Sequence, residues 1–219
     1  MLKALIFDMD GTLVHSDPVH LDAFAEILAP EGIVVDDHLY RTSIIGHTNE
    51  SIFATLLPHL PVVQHEIYAE RKEAAFRRLA LELKPLEGLL ELLDWADARG
   101  IRIALVTNAP LLNASHILDV LGITDRFEVK ITIDQVERGK PDPLPYLTAV
   151  ERLGIRAEEA IAFEDSPSGM RAAKAAGLFS FGVLTGLSAA ELTKVGADRA
   201  IGTFRDPSLW EVLERRIAA

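Results

Sequence analysis

Asp8 and Asp10, two carboxylates one residue apart, are the side chains of this sequence best placed to do chemistry. They directly follow residues 2–7, an apolar run that is typical of a buried strand. Side chains alternate along an extended chain, so both carboxylates lie on one side, and Gly11 then lets the backbone turn sharply. Because crowded like charges are costly without a cation, the motif indicates a site for a hard metal ion. An acidic turn that merely ends a strand is the alternative, and this segment alone leaves both open.

Polar groups also stand at or just past the ends of three other predicted strands. Thr107 and Asn108 offer a hydroxyl and backbone amides that suit phosphate oxygens. Lys140 lies in a loop stiffened by prolines, and Glu164 and Asp165 add two carboxylates. Singly, each segment is explained as a turn, a rigid loop or a helix cap. Together, at one edge of a sheet, they supply metal ligands, an ammonium group and hydrogen-bond donors, which is what phosphoryl transfer needs.

The chain from residue 84 onward alternates strand and helix patterns. This predicts an α/β fold with a doubly wound, Rossmann-like parallel sheet covered by helices on both faces. The predicted strands are residues 2–7, 101–106, 127–133, 160–163 and 179–184. The predicted helices are residues 86–99, 111–121, 143–153 and 167–176. The third strand alternates apolar and polar residues, so we expect it nearer the sheet edge.

Residues 16–83 differ from the rest, because helix patterns follow one another there without a convincing strand. The predicted helices are residues 17–28, 36–43, 48–57 and 63–83. We therefore expect a catalytic core formed by residues 1–15 and 84–219, and an inserted all-helical cap domain of residues 16–83 that acts as a lid. Lys72 stands in a run of charges, and we expect it on a solvated helix face where ion pairs contribute little.

Composition limits the function classes. Of 219 residues, 49% are hydrophobic and 25% charged, which is ordinary for a globular protein. The net charge of −11 disfavours nucleic acid and anionic membranes as partners. The sequence has no cysteine, which excludes disulfides and thiolate metal sites. We expect no signal peptide or membrane span, a cytoplasmic location, and a monomer or weak homodimer.

In order and spacing, the four polar segments resemble the motifs of the haloacid dehalogenase-like (HAD) hydrolases. Residues 8–13 resemble the first motif, and Thr107 and Lys140 the second and third. Glu164 and Asp165 resemble the fourth. The helical insertion is similar to the type-1 cap of that family, and the layout is most similar to its phosphoglycolate phosphatase and β-phosphoglucomutase branches. The resemblance spans essentially the whole chain.

The resemblance implies a Mg²⁺-dependent phosphatase that acts on a sugar phosphate or on phosphoglycolate. Asp8 is then the nucleophile that becomes an aspartyl-phosphate. Asp10 is implied to be the general acid and then the general base, with its backbone carbonyl on the metal. The implied metal ligands are Asp8, Asp10, Glu164 and Asp165, with Glu164 either on the ion or behind its ligands. The implied phosphate-binding residues are Thr107, Asn108 and Lys140.

The cap is expected to select the substrate, and His20, His47 and Asn49 are its candidate specificity residues. A phosphomutase and, less favoured, a non-catalytic phospholigand-binding protein are the alternative functions. The mutases carry basic residues in the loop that here holds Ile45 and Asn49, so this departure favours hydrolysis. Dehalogenation is disfavoured because the dehalogenases usually lack the carboxylate that Asp10 provides here.

Overall fold

A single parallel sheet forms the centre of the larger part of the chain. The structure, a computed structural model, describes residues 1–45 and 47–218, without the side chain of Arg41. Over these residues it contains a six-stranded sheet in the order β3-β2-β1-β4-β5-β6, with all neighbours parallel. The strands are β1 Ala4–Phe7, β2 Arg102–Val106, β3 Val129–Ile131, β4 Ala160–Glu164, β5 Phe179–Val183 and β6 Arg199–Ile201. The strand order reverses between β1 and β4, which confirms the predicted doubly wound fold.

Helices follow or precede each strand and also form the inserted segment. The helices of the inserted segment are α1 Asp17–Leu28, α2 Asp37–Ser43, α3 Asn49–Leu56 and α4 Val62–Leu79. The other helices are α5 Leu89–Asp97, α6 Leu111–Leu121, α7 Leu144–Arg152, α8 Pro167–Ala175, α9 Ala189–Val195 and α10 Pro207–Ala218. Within the part of the chain that the structure describes, no helix has both the length and the apolar character needed to cross a membrane.

The chain divides into two compact units. The first consists of residues 1–15 and 83–219 and contains the sheet, and the second consists of residues 16–82 and contains α1 to α4. In the second unit, α4 packs against α1 and α3. The roles of the two units as catalytic core and cap stay predictions.

Several elements differ from the sequence-based expectation. The third strand is only Val129–Ile131, because a 3-10 turn at Ile133–Gln135 follows Thr132 at once. It does lie at the sheet edge, as expected. Strand β6 and helices α9 and α10 were not predicted. β6 has three residues and begins with the exposed Arg199, so its pattern is too short to be recognised.

The strand residues of the sheet pack on its two faces in alternation. Ala4 and Ile6 of β1 belong to a buried cluster that includes Tyr146 of α7 and Ala172 of α8. Phe7 points to the other face. There its ring stacks on that of Phe163, with 4.7 Å between the centroids. Both faces of the central strands are therefore dry, which explains their continuous apolar sequence.

The expectation that Lys72 lies on a solvated helix face is wrong. Its exposed fraction is 5%, and its Nζ lies 3.0 Å from a carboxylate oxygen of Glu73. The same ammonium lies 4.9 Å from the centroid of the Phe24 ring. Lys72 is four residues after Tyr68 and four before Phe76, both buried, so it occupies the buried stripe of α4. The charged neighbours hid this spacing in the sequence.

We expect Phe163→Ala to lower the free energy of unfolding by about 3–5 kcal/mol, because it removes a fully buried ring from the phenylalanine stack. Urea denaturation followed by circular dichroism measures this. Leu112→Ala is the control, since that side chain is 66% exposed, and it should change stability by less than about 0.5 kcal/mol. Equal effects of the two substitutions would contradict the proposed core.

Candidate active site

Lys140 joins the carboxyl ends of two neighbouring strands. Its Nζ donates to Asp8 Oδ1 at 2.6 Å and to Glu164 Oε1 at 2.5 Å, and all three residues are buried. Phe7 of β1 pairs in register with Phe163 of β4, so the next residue of each strand is an acid at the same level of the sheet. Asp8 is also fixed by its backbone N–H, which donates to the Phe163 carbonyl at 3.0 Å. The sheet register therefore positions both acids for one ammonium group.

Three carboxylates gather around this point. Asp8, Glu164 and Asp165 each offer an oxygen atom, and these atoms all lie within 4.8 Å of one another. An all-oxygen, acidic donor set fits a hard divalent cation such as Mg²⁺. Asp10 follows two residues after Asp8 and is half-buried. Its acid–base role and its backbone contact to a metal stay predictions.

The charges of this cluster do not balance without a further cation. Burial raises the pKa of the Asp8 carboxyl, the Lys140 ammonium acts in the opposite direction, and Glu164 raises it again. Burial likewise raises the pKa of Asp165, and the charges of Asp8 and Glu164 add to the effect. The predicted role of Asp8 as nucleophile requires an ionised carboxylate, and this role would need more positive charge than one lysine provides. A divalent ion beside Asp8 and Asp165 would provide it.

Lys140 itself stays protonated. Burial favours loss of its proton, but Asp8 and Glu164 both favour the ammonium form and raise its pKa above the usual value. A permanent positive charge is thus held at the end of the sheet, where it can contact an anionic group. The predicted contact of Lys140 with a phosphoryl group stays a prediction.

Glu164 is enclosed by donors from its own unit. The Tyr146 hydroxyl donates to Oε1 at 2.8 Å, and the Ser166 hydroxyl donates to Oε2 at 3.1 Å. Ser166 also caps α8, since its Oγ accepts a hydrogen bond from the Gly169 N–H at 3.1 Å. A Cβ atom added at Gly169 would collide with the Glu164 carboxylate. The helix-cap interpretation of this segment is therefore confirmed, and its functional interpretation stays a prediction.

The turn after Asp10 requires glycine for two reasons. Gly11 has a φ of 74°, in the left-handed region, and a Cβ atom added there would collide with the Asp165 carboxylate. The turn is held from β5 as well, because the Thr185 hydroxyl donates to the Gly11 carbonyl at 2.6 Å. The turn can therefore approach Asp165 closely only because residue 11 is glycine.

The loop after β2 carries Thr107 and Asn108. The Thr107 Oγ1 is buried and accepts a hydrogen bond from the Ala109 N–H at 3.0 Å, so its own proton can be donated to an anion. The side chain of Asn108 binds the backbone of Lys140 twice, donating to its carbonyl at 3.0 Å and accepting from its N–H at 2.9 Å. Asn108 therefore fixes the Lys140 loop, and only its backbone amide suits the phosphate-binding role that we predicted.

The three candidate specificity residues lie in the second unit. His20 stacks on Phe76 with 4.1 Å between ring centroids, and His47 is exposed. Asn49 donates to a carboxylate oxygen of Glu73 at 2.6 Å. Burial would raise the pKa of Glu73, but Lys72 and this hydrogen bond lower it. Gly46, in the predicted cap loop, lies outside the described residues. The substrate-selecting role of these residues stays a prediction.

Sequence reasoning missed two residues that hold the site in place, Tyr146 and Thr185. It considered Ser166 as a helix cap and missed the hydrogen bond from its hydroxyl to Glu164. Tyr146 lies in a helix with an apolar stripe, where an aromatic residue indicates core packing, and nothing in the pattern showed that its hydroxyl meets Glu164. Thr185 reaches Gly11 across 174 residues of sequence, a contact that only the fold can reveal.

Comparison with known proteins identifies the family of this chain. The family model of the haloacid dehalogenase-like hydrolases matches residues 2–177. A phosphorylated carbohydrates phosphatase of Thermotoga maritima is 34% identical over 179 residues, 81% of this chain and 82% of that protein. A phosphoglycolate phosphatase of Rhodospirillum rubrum is 30% identical over 219 residues, 96% and 91% of the two chains.

Solved structures agree. The structure of CbbY from Rhodobacter sphaeroides, in complex with xylulose-(1,5)bisphosphate, superposes with a TM-score of 0.82 at 30% identity, covering 94% of this chain and 96% of that one. The chain therefore belongs to the haloacid dehalogenase-like hydrolases. The resemblance read from the four motifs and the predicted enzyme class are confirmed.

We expect Gly11→Ala to lower turnover at least about tenfold, because the added methyl group displaces the Asp165 carboxylate. Steady-state kinetics of the purified variant measures this. Gly122→Ala is the matched control, since Gly122 has a φ of 67° and nothing within 4 Å of the added Cβ. Both variants share the conformational cost of about 1 kcal/mol, and only Gly11→Ala should lose activity. Equal losses would show that backbone strain alone is responsible.

Proposed function

We propose that this protein is a Mg²⁺-dependent phosphatase that hydrolyses a small phosphorylated metabolite through an aspartyl-phosphate on Asp8. The observation that carries the proposal is the Lys140 bridge. A buried ammonium lies 2.6 Å from Asp8, beside two further carboxylates that can hold a cation. Family membership and the phosphatase relatives support the same reaction.

In the first step, an oxygen of Asp8 attacks the phosphorus atom and the bond to the substrate oxygen breaks. Asp10 donates a proton to the leaving oxygen, which departs as an alcohol. Lys140 and the Thr107 hydroxyl contact oxygens of the transferring group and stabilise its negative charge. Both side chains approach from the loops that follow the strand ends, where Asn108 fixes the Lys140 backbone.

In the second step, a water molecule attacks the phosphorus atom of the aspartyl-phosphate and the bond to Asp8 breaks. Asp10, now ionised, takes a proton from that water, and inorganic phosphate leaves. Bound Mg²⁺ would supply positive charge to the phosphoryl oxygens and to Asp8. Asp8 and Asp165 would hold it through their side chains and Asp10 through its backbone carbonyl.

The expected substrate is a monophosphate, either a sugar phosphate or a compound of the phosphoglycolate type. Two relatives carry these activities in their names. In the second unit, the ammonium of Lys72 is paired with Glu73, which also binds Asn49. This pair adds no net positive charge beside the predicted specificity residue Asn49, which supports the proposal of a substrate with a single phosphate.

We also propose a cytoplasmic protein that acts as a monomer or weak homodimer, without nucleic acid or membrane as a partner. The net charge of −11 supports the last part of this proposal, because nucleic acid and anionic membranes would repel the protein.

Asp8→Asn is expected to abolish turnover of p-nitrophenyl phosphate with Mg²⁺, because an amide oxygen is a poor nucleophile. Asp10→Asn should slow the reaction by about 10²–10⁴-fold, the usual scale for a general acid–base. Both variants should keep the circular dichroism spectrum of the native protein. Asp125→Asn, a change at an exposed aspartate, is the matched control and should retain the native rate. A near-native rate for Asp8→Asn would remove that residue as nucleophile.

Metal removal and product analysis test the function as a whole. We expect EDTA to stop phosphate release from a panel of phosphorylated metabolites and added Mg²⁺ to restore it. Ca²⁺ should substitute poorly, because its coordination is longer and looser. A mutase would instead release little phosphate and depend on a sugar bisphosphate activator. A non-catalytic binder would release none from any member of the panel.

A further inference from the structure

We propose that Tyr146 is a positioning residue of this reaction, acting through Glu164 on the ammonium group of Lys140. The inference rests on the proposed function and assigns a role to a side chain outside the acidic cluster. It also decides between the two roles that the sequence left open for Glu164, metal ligand or partner of a ligand.

Tyr146 contacts both members of the Lys140–Glu164 ion pair. Its hydroxyl donates to Glu164 Oε1 at 2.8 Å, and the same oxygen accepts from Lys140 Nζ at 2.5 Å. The ammonium also lies 5.4 Å from the centroid of the Tyr146 ring. Tyr146 is fully buried in the cluster under the sheet, so its position is fixed by packing. The tyrosine therefore contacts the ammonium through its ring and the partner carboxylate through its hydroxyl.

Both oxygens of Glu164 are committed to protein donors. Lys140 and Tyr146 share Oε1, and Ser166 donates to Oε2 at 3.1 Å. The Glu164 carboxylate also packs directly on Gly169, where an added Cβ atom would collide with it. Glu164 is also fully buried, whereas Asp165 is half-buried. We therefore assign Glu164 to holding Lys140, which leaves Asp8 and Asp165 as the carboxylates available to a metal ion.

The Tyr146 hydroxyl matters because two carboxylates compete for one ammonium. Lys140 must stay near Asp8 to contact the transferring phosphoryl group, but Glu164 attracts the same ammonium. A hydrogen bond from a neutral donor spreads part of the Glu164 charge and weakens that attraction. Without it, the ammonium moves toward Glu164 and away from the phosphate position.

The test uses Tyr146→Phe, which keeps the ring and removes only the hydroxyl. From the usual strength of a hydrogen bond to a charged group, we expect kcat to fall about tenfold. The affinity for inorganic phosphate, measured by calorimetry with Mg²⁺ present, should fall by about the same factor. The Mg²⁺ concentration for half-maximal activity should change less than about twofold. A purely structural role would lower the active fraction without changing the phosphate affinity per folded molecule.

Tyr68→Phe is the matched control. It removes the same kind of hydrogen bond, from the Tyr68 hydroxyl to Glu31, in the other compact unit. Phosphate affinity and Mg²⁺ activation should remain native. Should Tyr146→Phe fail to fold, Ser166→Ala removes the donor to the other Glu164 oxygen and is expected to weaken phosphate binding in the same direction.

A double-mutant cycle separates action through Lys140 from an independent effect. In a Lys140→Ala background, Tyr146→Phe should change phosphate affinity no further, because the group it positions is gone. Additive losses, or native phosphate affinity in Tyr146→Phe, would overturn the proposal. So would a shift of about tenfold or more in Mg²⁺ activation, which would make Glu164 a metal ligand. Phosphate binding does not require turnover, so an inactive native protein would refute the proposed function and leave this test intact.

Discussion

The structure of this site depends on one buried ammonium group shared by two buried carboxylates. Lys140 lies between Asp8 and Glu164, and Asp165 adds a third negative charge within reach of the same point. A lone lysine cannot compensate three acids in a dry environment, and the raised pKa of Asp8 and Asp165 reflects this. In the proposed mechanism, a bound cation would compensate the remaining negative charge and leave the site able to accept an anionic substrate.

The surrounding fold holds these charged side chains at short distances from one another. The register between β1 and β4 brings Asp8 and Glu164 to the same level of the sheet. Lys140 then reaches Asp8 although the two residues are 132 positions apart in sequence. Gly11 and Gly169 then allow carboxylates to approach the backbone more closely than any other residue would permit. The stacked rings of Phe7, Phe163 and Phe181 make the strands that carry these residues rigid, because closely packed interiors resist displacement.

Much of the fold and of the site could be predicted from the sequence because both depend on local patterns. An apolar run followed by acidic or hydroxyl residues predicts a buried strand and, at its carboxyl end, polar side chains that could form a site. Lys72 could not be placed correctly, because its charged neighbours masked its position on the buried stripe of α4. Tyr146 and Thr185 could not be assigned either, since their partners are set by the packing of distant elements. Burial and long-range hydrogen bonds are properties of the fold, and no local pattern reports them.

The central claim is that the charges of this site are divided between a lysine and a metal ion. A crystal structure with Mg²⁺ and a phosphate mimic bound tests it most directly. We expect the ion on oxygens of Asp8 and Asp165, with Glu164 still bound to Lys140. An ion held elsewhere, or coordinated by Glu164 with Lys140 released from it, would contradict the account.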